Sequence, residues 1–125
     1  MRILLDTHIL IWWMQNNPKL SKKAQQLLAD PANLIFISAA SIWELRIKQS
    51  LGRIDLPAKF DSSLHQLSFE ELSVSIAHTE ELRRLPRLHS DPFDRMLLAQ
   101  ARAEKLSLLS ADTQLIAYGY PVISS

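Results

Sequence analysis

Met1-Arg2-Ile3-Leu4-Leu5-Asp6-Thr7-His8 opens the chain. Ile3-Leu4-Leu5 shows no polar alternation, which is the pattern of a strand covered on both faces, as in a parallel sheet. Asp6 ends the run. An aspartate here can cap a helix that starts at the next residue. It can also stand in the crevice beyond the carboxyl ends of the strands, where open α/β sheets bind their ligands. The same setting recurs. Ser107-Leu108-Leu109 precedes Asp112, and Leu34-Ile35-Phe36-Ile37 lies a few residues before Glu44. Asp94 also stands where a helix begins.

Two more strand signals complete the set, a weaker one over Leu72 to Ile76 and a short edge segment at Pro121-Val122-Ile123. Helical patterns fill the intervals at 7–14, 21–29, 39–50, 57–66, 76–85 and 92–105. Ser21 suits an N-cap, Gly52 suits the position after a helix end, and Asp91-Pro92 is a cap followed by proline at the first helical position. Strands alternating with helices imply βαβ units and a sheet covered on both sides. The expected fold is a three-layer α/β/α sandwich around a mostly parallel sheet of four to five strands. With 125 residues and no linker, repeat or low-complexity segment, one domain over 1–125 is expected.

Composition narrows the chemistry. Hydrophobic residues make up 47%, enough for a real core. There is no cysteine, which excludes disulfides, thiol nucleophiles and cysteine zinc sites and is compatible with a reducing cytosol. No run approaches the ~20 apolar residues of a membrane span, and Asp6 interrupts the N-terminal apolar run too early for a signal peptide. A cytoplasmic protein with no membrane partner is expected. The formal net charge of +1 requires any nucleic-acid attraction to come from a local patch. Two glycines are too few for a glycine-rich phosphate loop.

Each acid has a structural alternative. Asp6 and Asp112 are possible caps. Ser41-Ile42-Trp43-Glu44 matches a capping box, although Ser38 is an equally good cap for a helix starting at Ala39 and would leave Glu44 free. Asp91 suits the cap of its helix, and Asp94 then lies in the first turn, where the helix dipole favours negative charge. Against four separate explanations stands their coincidence. Carboxylates gathered at one end of a sheet repel one another unless a cation joins them. Mg²⁺ or Mn²⁺, which prefer carboxylate and water oxygens, suit such a site, and phosphodiester hydrolysis is the chemistry they support.

Asp6 after the first strand, Ser41-Ile42-Trp43-Glu44-Leu45, Asp91-Pro92-Phe93-Asp94-Arg95 leading into Leu98-Ala99-Gln100-Ala101, and Ser110-Ala111-Asp112 together resemble the PIN-domain nucleases, and among them the VapC-like toxins of type II toxin–antitoxin systems. The resemblance covers essentially the whole chain. It implies a metal-dependent endoribonuclease that cuts single-stranded RNA and leaves a 5′-phosphate and a 3′-hydroxyl. It also implies a cognate antitoxin protein as partner and a homodimer. Carried over, the catalytic acids are Asp6, Glu44, Asp94 and Asp112, with Asp6 and Asp94 as direct metal ligands.

Beyond the acids, Thr7, Arg87 and Arg95 are candidate substrate contacts, the arginines as part of the basic stretch Arg83, Arg84, Arg87, His89 and Arg95. His8 and His89 flank the expected crevice, where a histidine can protonate a leaving oxygen or simply make a structural hydrogen bond. Trp12, Trp13 and Trp43 can stack on bases or fill cores. Trp12 and Trp13, with the 21–29 helix, are expected to line the antitoxin groove that the resemblance implies. Two rival readings are a catalytically inactive PIN-like module that binds RNA or protein, and a phosphoacceptor receiver domain. The second would need paired acids at the first strand and a lysine after the last, and neither is present.

Overall fold

The computed structural model describes residues 1–125. Its elements in chain order are β1 (Arg2–Leu5), α1 (Thr7–Gln15), α2 (Lys22–Ala29), β2 (Leu34–Ser38), α3 (Ala39–Ser50), α4 (Phe60–Gln66), β3 (Glu70–Leu72), α5 (Ile76–Leu82), α6 (Pro92–Glu104), β4 (Ser107–Ser110), α7 (Thr113–Ile116) and β5 (Val122–Ser124). All five strands are parallel, in the order β3-β2-β1-β4-β5. The expected α/β/α sandwich is what forms.

The apolar runs act as a two-sided core because side chains alternate across a strand. Ile3 and Leu5 of β1, with Ile35, Ile37 and Leu109, pack against Ile9 and Leu10 of α1 and Ala24 and Leu28 of α2. Leu4 faces the other way and joins Leu108 against Leu97, Leu98 and Ala101 of α6 and Leu115 of α7. Ile3, Leu4 and Leu108 are completely buried. The strand order reverses direction beside β1, because β2 lies on one side of it and β4 on the other. That switch point opens a crevice at the carboxyl ends of the strands, and Asp6 immediately follows β1 there.

The local signals mostly act as expected. Ser21, Ser38 and Asp91 cap α2, α3 and α6 with their side chains, and Pro92 occupies the first turn of α6. Gly52 takes a positive φ of 69° just past α3. The third strand differs from expectation. It is Glu70–Leu72, not Leu72–Ile76, because Ser75 and His78 form a reciprocal capping box that starts α5 at Ile76. Helices α4 and α5 are shorter than the patterns at 57–66 and 76–85, and α6 ends one residue early with Lys105 left-handed.

Candidate metal centre

Asp6 is 3% exposed and sits on the last turn of sheet hydrogen bonding, its N–H donating to Leu109 carbonyl oxygen at 3.0 Å. Its two carboxylate oxygens are held from different elements. Oδ1 accepts the Thr7 N–H at 2.7 Å, and Oδ2 accepts the Ser110 hydroxyl, also at 2.7 Å. Ser110 Oγ in turn accepts the N–H of Asp112 at 3.0 Å. Thr7 reaches the other way, its hydroxyl donating to Glu44 Oε1 at 2.9 Å. The ends of β1 and β4, the starts of α1 and α7 and the second turn of α3 are thereby tied into one polar network.

Asp94 enters from α6. Its Oδ2 lies 2.7 Å from His89 Nε2, and the same nitrogen is 3.8 Å from Asp112 Oδ2. His89, Asp94 and Asp112 offer ligand atoms that all lie within 4.8 Å of one another. Asp6 is outside that trio but feels it electrostatically. Burial pushes the Asp94 carboxyl up to about 7, and the charge of Asp6 pushes in the same direction, while the hydrogen bond from His89 opposes both. The Asp6 carboxyl is raised as well, first by burial, with the hydrogen bonds of Ser110 and Thr7 opposing and Asp112 adding repulsion. Asp6, His8, Trp12, Ala111 and Asp112 line a shared cleft of about 290 Å³.

The helix-cap explanations and the crevice geometry hold at once for Asp6 and Asp112, which cap α1 and α7 with one oxygen each. Glu44 makes no capping box. Ser38 takes that role with the N–H of Ala40, and Glu44 is buried at 6% exposure, bonded to Thr7 and to Lys48 Nζ at 2.9 Å. Asp91 is spent on the N–H groups of Phe93 and Asp94, which leaves Asp94 as the acid of the crevice.

The profile of the PIN domain matches residues 3–119. The chain belongs to the PIN-domain family. Ribonuclease VapC22 of Mycobacterium tuberculosis is 29% identical over 122 residues, spanning 95% of this chain and 93% of that protein. The fold is shared with a chain of VapBC2 from Rickettsia felis bound to a DNA fragment from its promoter, at a TM-score of 0.73 and 20% identity, covering 100% of this chain and 98% of that one. A toxin–antitoxin complex from Klebsiella pneumoniae has a chain similar at a TM-score of 0.66 and 23% identity, covering 97% of this chain and 95% of that one.

The candidate substrate contacts on this PIN domain are divided by the structure. Arg87 lines an open cleft of about 510 Å³ with His89, Ser90, Arg95 and Gln114. Thr7 is buried and its hydroxyl is given to Glu44, so it organises the crevice from within. Arg95 spends its guanidinium on the carbonyl oxygens of Pro86, His89 and Leu82, at 3.2, 3.4 and 3.4 Å, and so ties down the loop that carries His89. His8 is exposed beside Trp12, whereas Trp13 packs on Phe69 and Trp43 lies exposed against Phe93. Lys48 is the residue that sequence reasoning missed. Its signal is the i, i+4 spacing from Glu44, which also describes ordinary surface helix pairs. No helix of the protein is long and apolar enough to cross a membrane.

Proposed function

We propose that this PIN domain is a metal-dependent endoribonuclease that cleaves single-stranded RNA and acts as the toxin of a type II toxin–antitoxin pair. The carrying observation is the juxtaposition of Asp94 and Asp112 around His89, with Asp6 close enough to raise the Asp94 carboxyl. Crowded, half-desolvated carboxylates without a lysine or arginine among them are the donor set that Mg²⁺ or Mn²⁺ satisfies. Of the four acids only Glu44 has such a cation. These acids suit a divalent ion; in this reading Asp6 and Asp94 would hold it, with Asp112, whose ligand atom lies near that of Asp94, beside them.

When bound, such an ion supplies a Lewis acid for the scissile phosphate and an acidified water. The chain's own residues do the rest. Ser110 and Thr7 fix both oxygens of Asp6, so its lone pairs point one way without reorganisation. Asp112 uses Oδ1 for its cap, which leaves Oδ2 to accept a proton from the attacking water. His89, whose Nε2 lies 2.7 Å from Asp94 Oδ2, protonates the departing oxygen. Cleavage leaves a 5′-phosphate and a 3′-hydroxyl. The single domain works in the cytoplasm as a homodimer. The antitoxin covers the surface that includes Trp12, Trp13 and α2, a reading supported by the toxin–antitoxin complexes among its structural relatives.

The test is to sequence RNA ends after brief induced expression, with the Asp6→Asn variant in parallel. New 5′-phosphate ends at defined positions, absent with the variant, are expected. Identical end profiles for both proteins would overturn the reading.

A further inference from the structure

We propose that Lys48 is a phosphate contact of the substrate at the Glu44 side of the crevice, an assignment that rests on the ribonuclease reading above. Glu44 is buried, and both its oxygens are occupied by the protein. Oε1 takes the Thr7 hydroxyl at 2.9 Å and Oε2 takes the Lys48 ammonium at 2.9 Å. The ammonium is the only lysine or arginine group paired with any of the four acids.

The two partners differ in exposure. The Glu44 side chain is 8% exposed, the Lys48 side chain 37%. The lysine thus runs along α3 from solvent and ends on a carboxylate that opens into the network of Thr7 and Asp6. An ammonium has three donors, and Glu44 uses one. The other two remain available to an anion. A phosphate approaching this side meets a cation already ordered by Glu44, so little side-chain entropy is lost on contact. Without Lys48 it would meet a bare buried carboxylate.

Arg87 and Lys48 then bracket the acids. Arg87 lies on the α6 side, in the cleft with His89 and Arg95, and Lys48 on the α3 side. In this proposal a strand that touches both runs past His89, which contacts Asp94, and past Glu44, which Thr7 links to Asp6. Such a path suits an unpaired, flexible strand, whose backbone can follow the crevice.

The experiment measures binding of a short fluorescein-labelled single-stranded RNA by anisotropy over a salt series, with Ca²⁺ in place of Mg²⁺. Wild type, Lys48→Gln, Lys48→Arg, Glu44→Gln and the Glu44→Gln/Lys48→Gln double variant are compared. The double variant carries no unpaired buried charge, so its fold does not depend on the ion pair. Each phosphate contact on a single strand contributes about 0.7 to the slope of log affinity against log salt. Loss of about 0.7 in slope and about five-fold weaker binding are expected for Lys48→Gln against wild type and for the double variant against Glu44→Gln. Lys48→Arg should keep the slope. Unchanged slope and affinity in both comparisons would overturn the proposal, because Lys48 would then serve Glu44 alone. Wild type that binds with no salt dependence would overturn the ribonuclease reading itself, and this assignment with it.

Discussion

His89 Nε2 lies 2.7 Å from Asp94 Oδ2, in a site where Asp94 is raised to about 7 by burial and by the charge of Asp6. The unfolded carboxyl titrates near 3.8, so between those values the folded form holds a proton that the unfolded form has released. The contribution of Asp94 to stability is then full below about 3.8 and is lost as pH rises through about 7. Thermal unfolding of protein in EDTA is expected to show a melting temperature that declines from pH 5 to pH 8, and Asp94→Asn should flatten that decline. Mn²⁺ works in the opposite sense, because it requires the carboxylate. Its affinity should rise over the same interval with release of up to one proton, read by calorimetry in buffers of different ionisation enthalpy. A flat pH profile of Mn²⁺ affinity would show that Asp94 is not a ligand.

Asp6 is buried with a raised carboxyl, fixed by Thr7 and Ser110. Asparagine keeps the shape and can still accept the Thr7 N–H. Asp6→Asn should therefore fold normally, and its metal-free form at pH 8 should be at least as stable as wild type because a repelling charge is gone. If Asp6 is a metal ligand, as proposed, cleavage should fall by at least about 100-fold. Retention of full metal-dependent cleavage by the purified variant would remove Asp6 from the site.

The parts of the fold legible in the sequence are those with unmixed signals. Ile3-Leu4-Leu5 and Leu34-Ile35-Phe36-Ile37 are apolar on both faces, and a strand with two covered faces reads no other way. Glu70-Glu71-Leu72 is an edge strand with both glutamates exposed, so its own residues carry no burial signal, and the apolar residues after it drew the expected strand downstream. Asp6, Asp94 and Asp112 were legible because each follows a strand or stands at a helix start, and Glu44 because it lies a few residues past a buried strand. Their bridges were not. Ser110 to Asp6 spans 104 positions and Thr7 to Glu44 spans 37, distances over which sequence patterns record nothing. His89 was legible as a histidine flanking the crevice, but its contact with Asp94 was not, since that depends on how Arg95 ties down the loop that carries it.

Asp91 and Asp94 separate two roles that one short motif contains. Asp91 caps α6 through the N–H groups of Phe93 and Asp94. Asp91→Ala should cost about 1 kcal/mol of stability and leave Mn²⁺ affinity near wild type. Asp94→Asn should do the reverse, with metal binding lost and the metal-free protein unharmed. Urea unfolding and Mn²⁺ calorimetry on the two variants check the exchange. Loss of metal binding in Asp91→Ala with stability intact would mean that the two roles are assigned the wrong way round.

Arg95 and Arg87 both line the cleft beside His89, yet their guanidinium groups have different work. Arg95 donates to the carbonyl oxygens of Leu82, Pro86 and His89, and backbone groups of the same loop also meet Tyr118, whose hydroxyl donates to Pro86 and accepts from the His89 N–H. Arg95→Ala should therefore free the 82–90 loop, costing about 1–2 kcal/mol and speeding amide hydrogen exchange there. Activity should fall with it, because His89 is no longer held at Asp94. Arg87 is exposed and none of those loop contacts involves its side chain, so Arg87→Ala should leave stability and loop exchange unchanged. It should instead weaken RNA binding and lower the salt slope by about 0.7. If Arg95→Ala showed ordinary exchange in the loop and lost only RNA affinity, its guanidinium would be a substrate contact and not a staple.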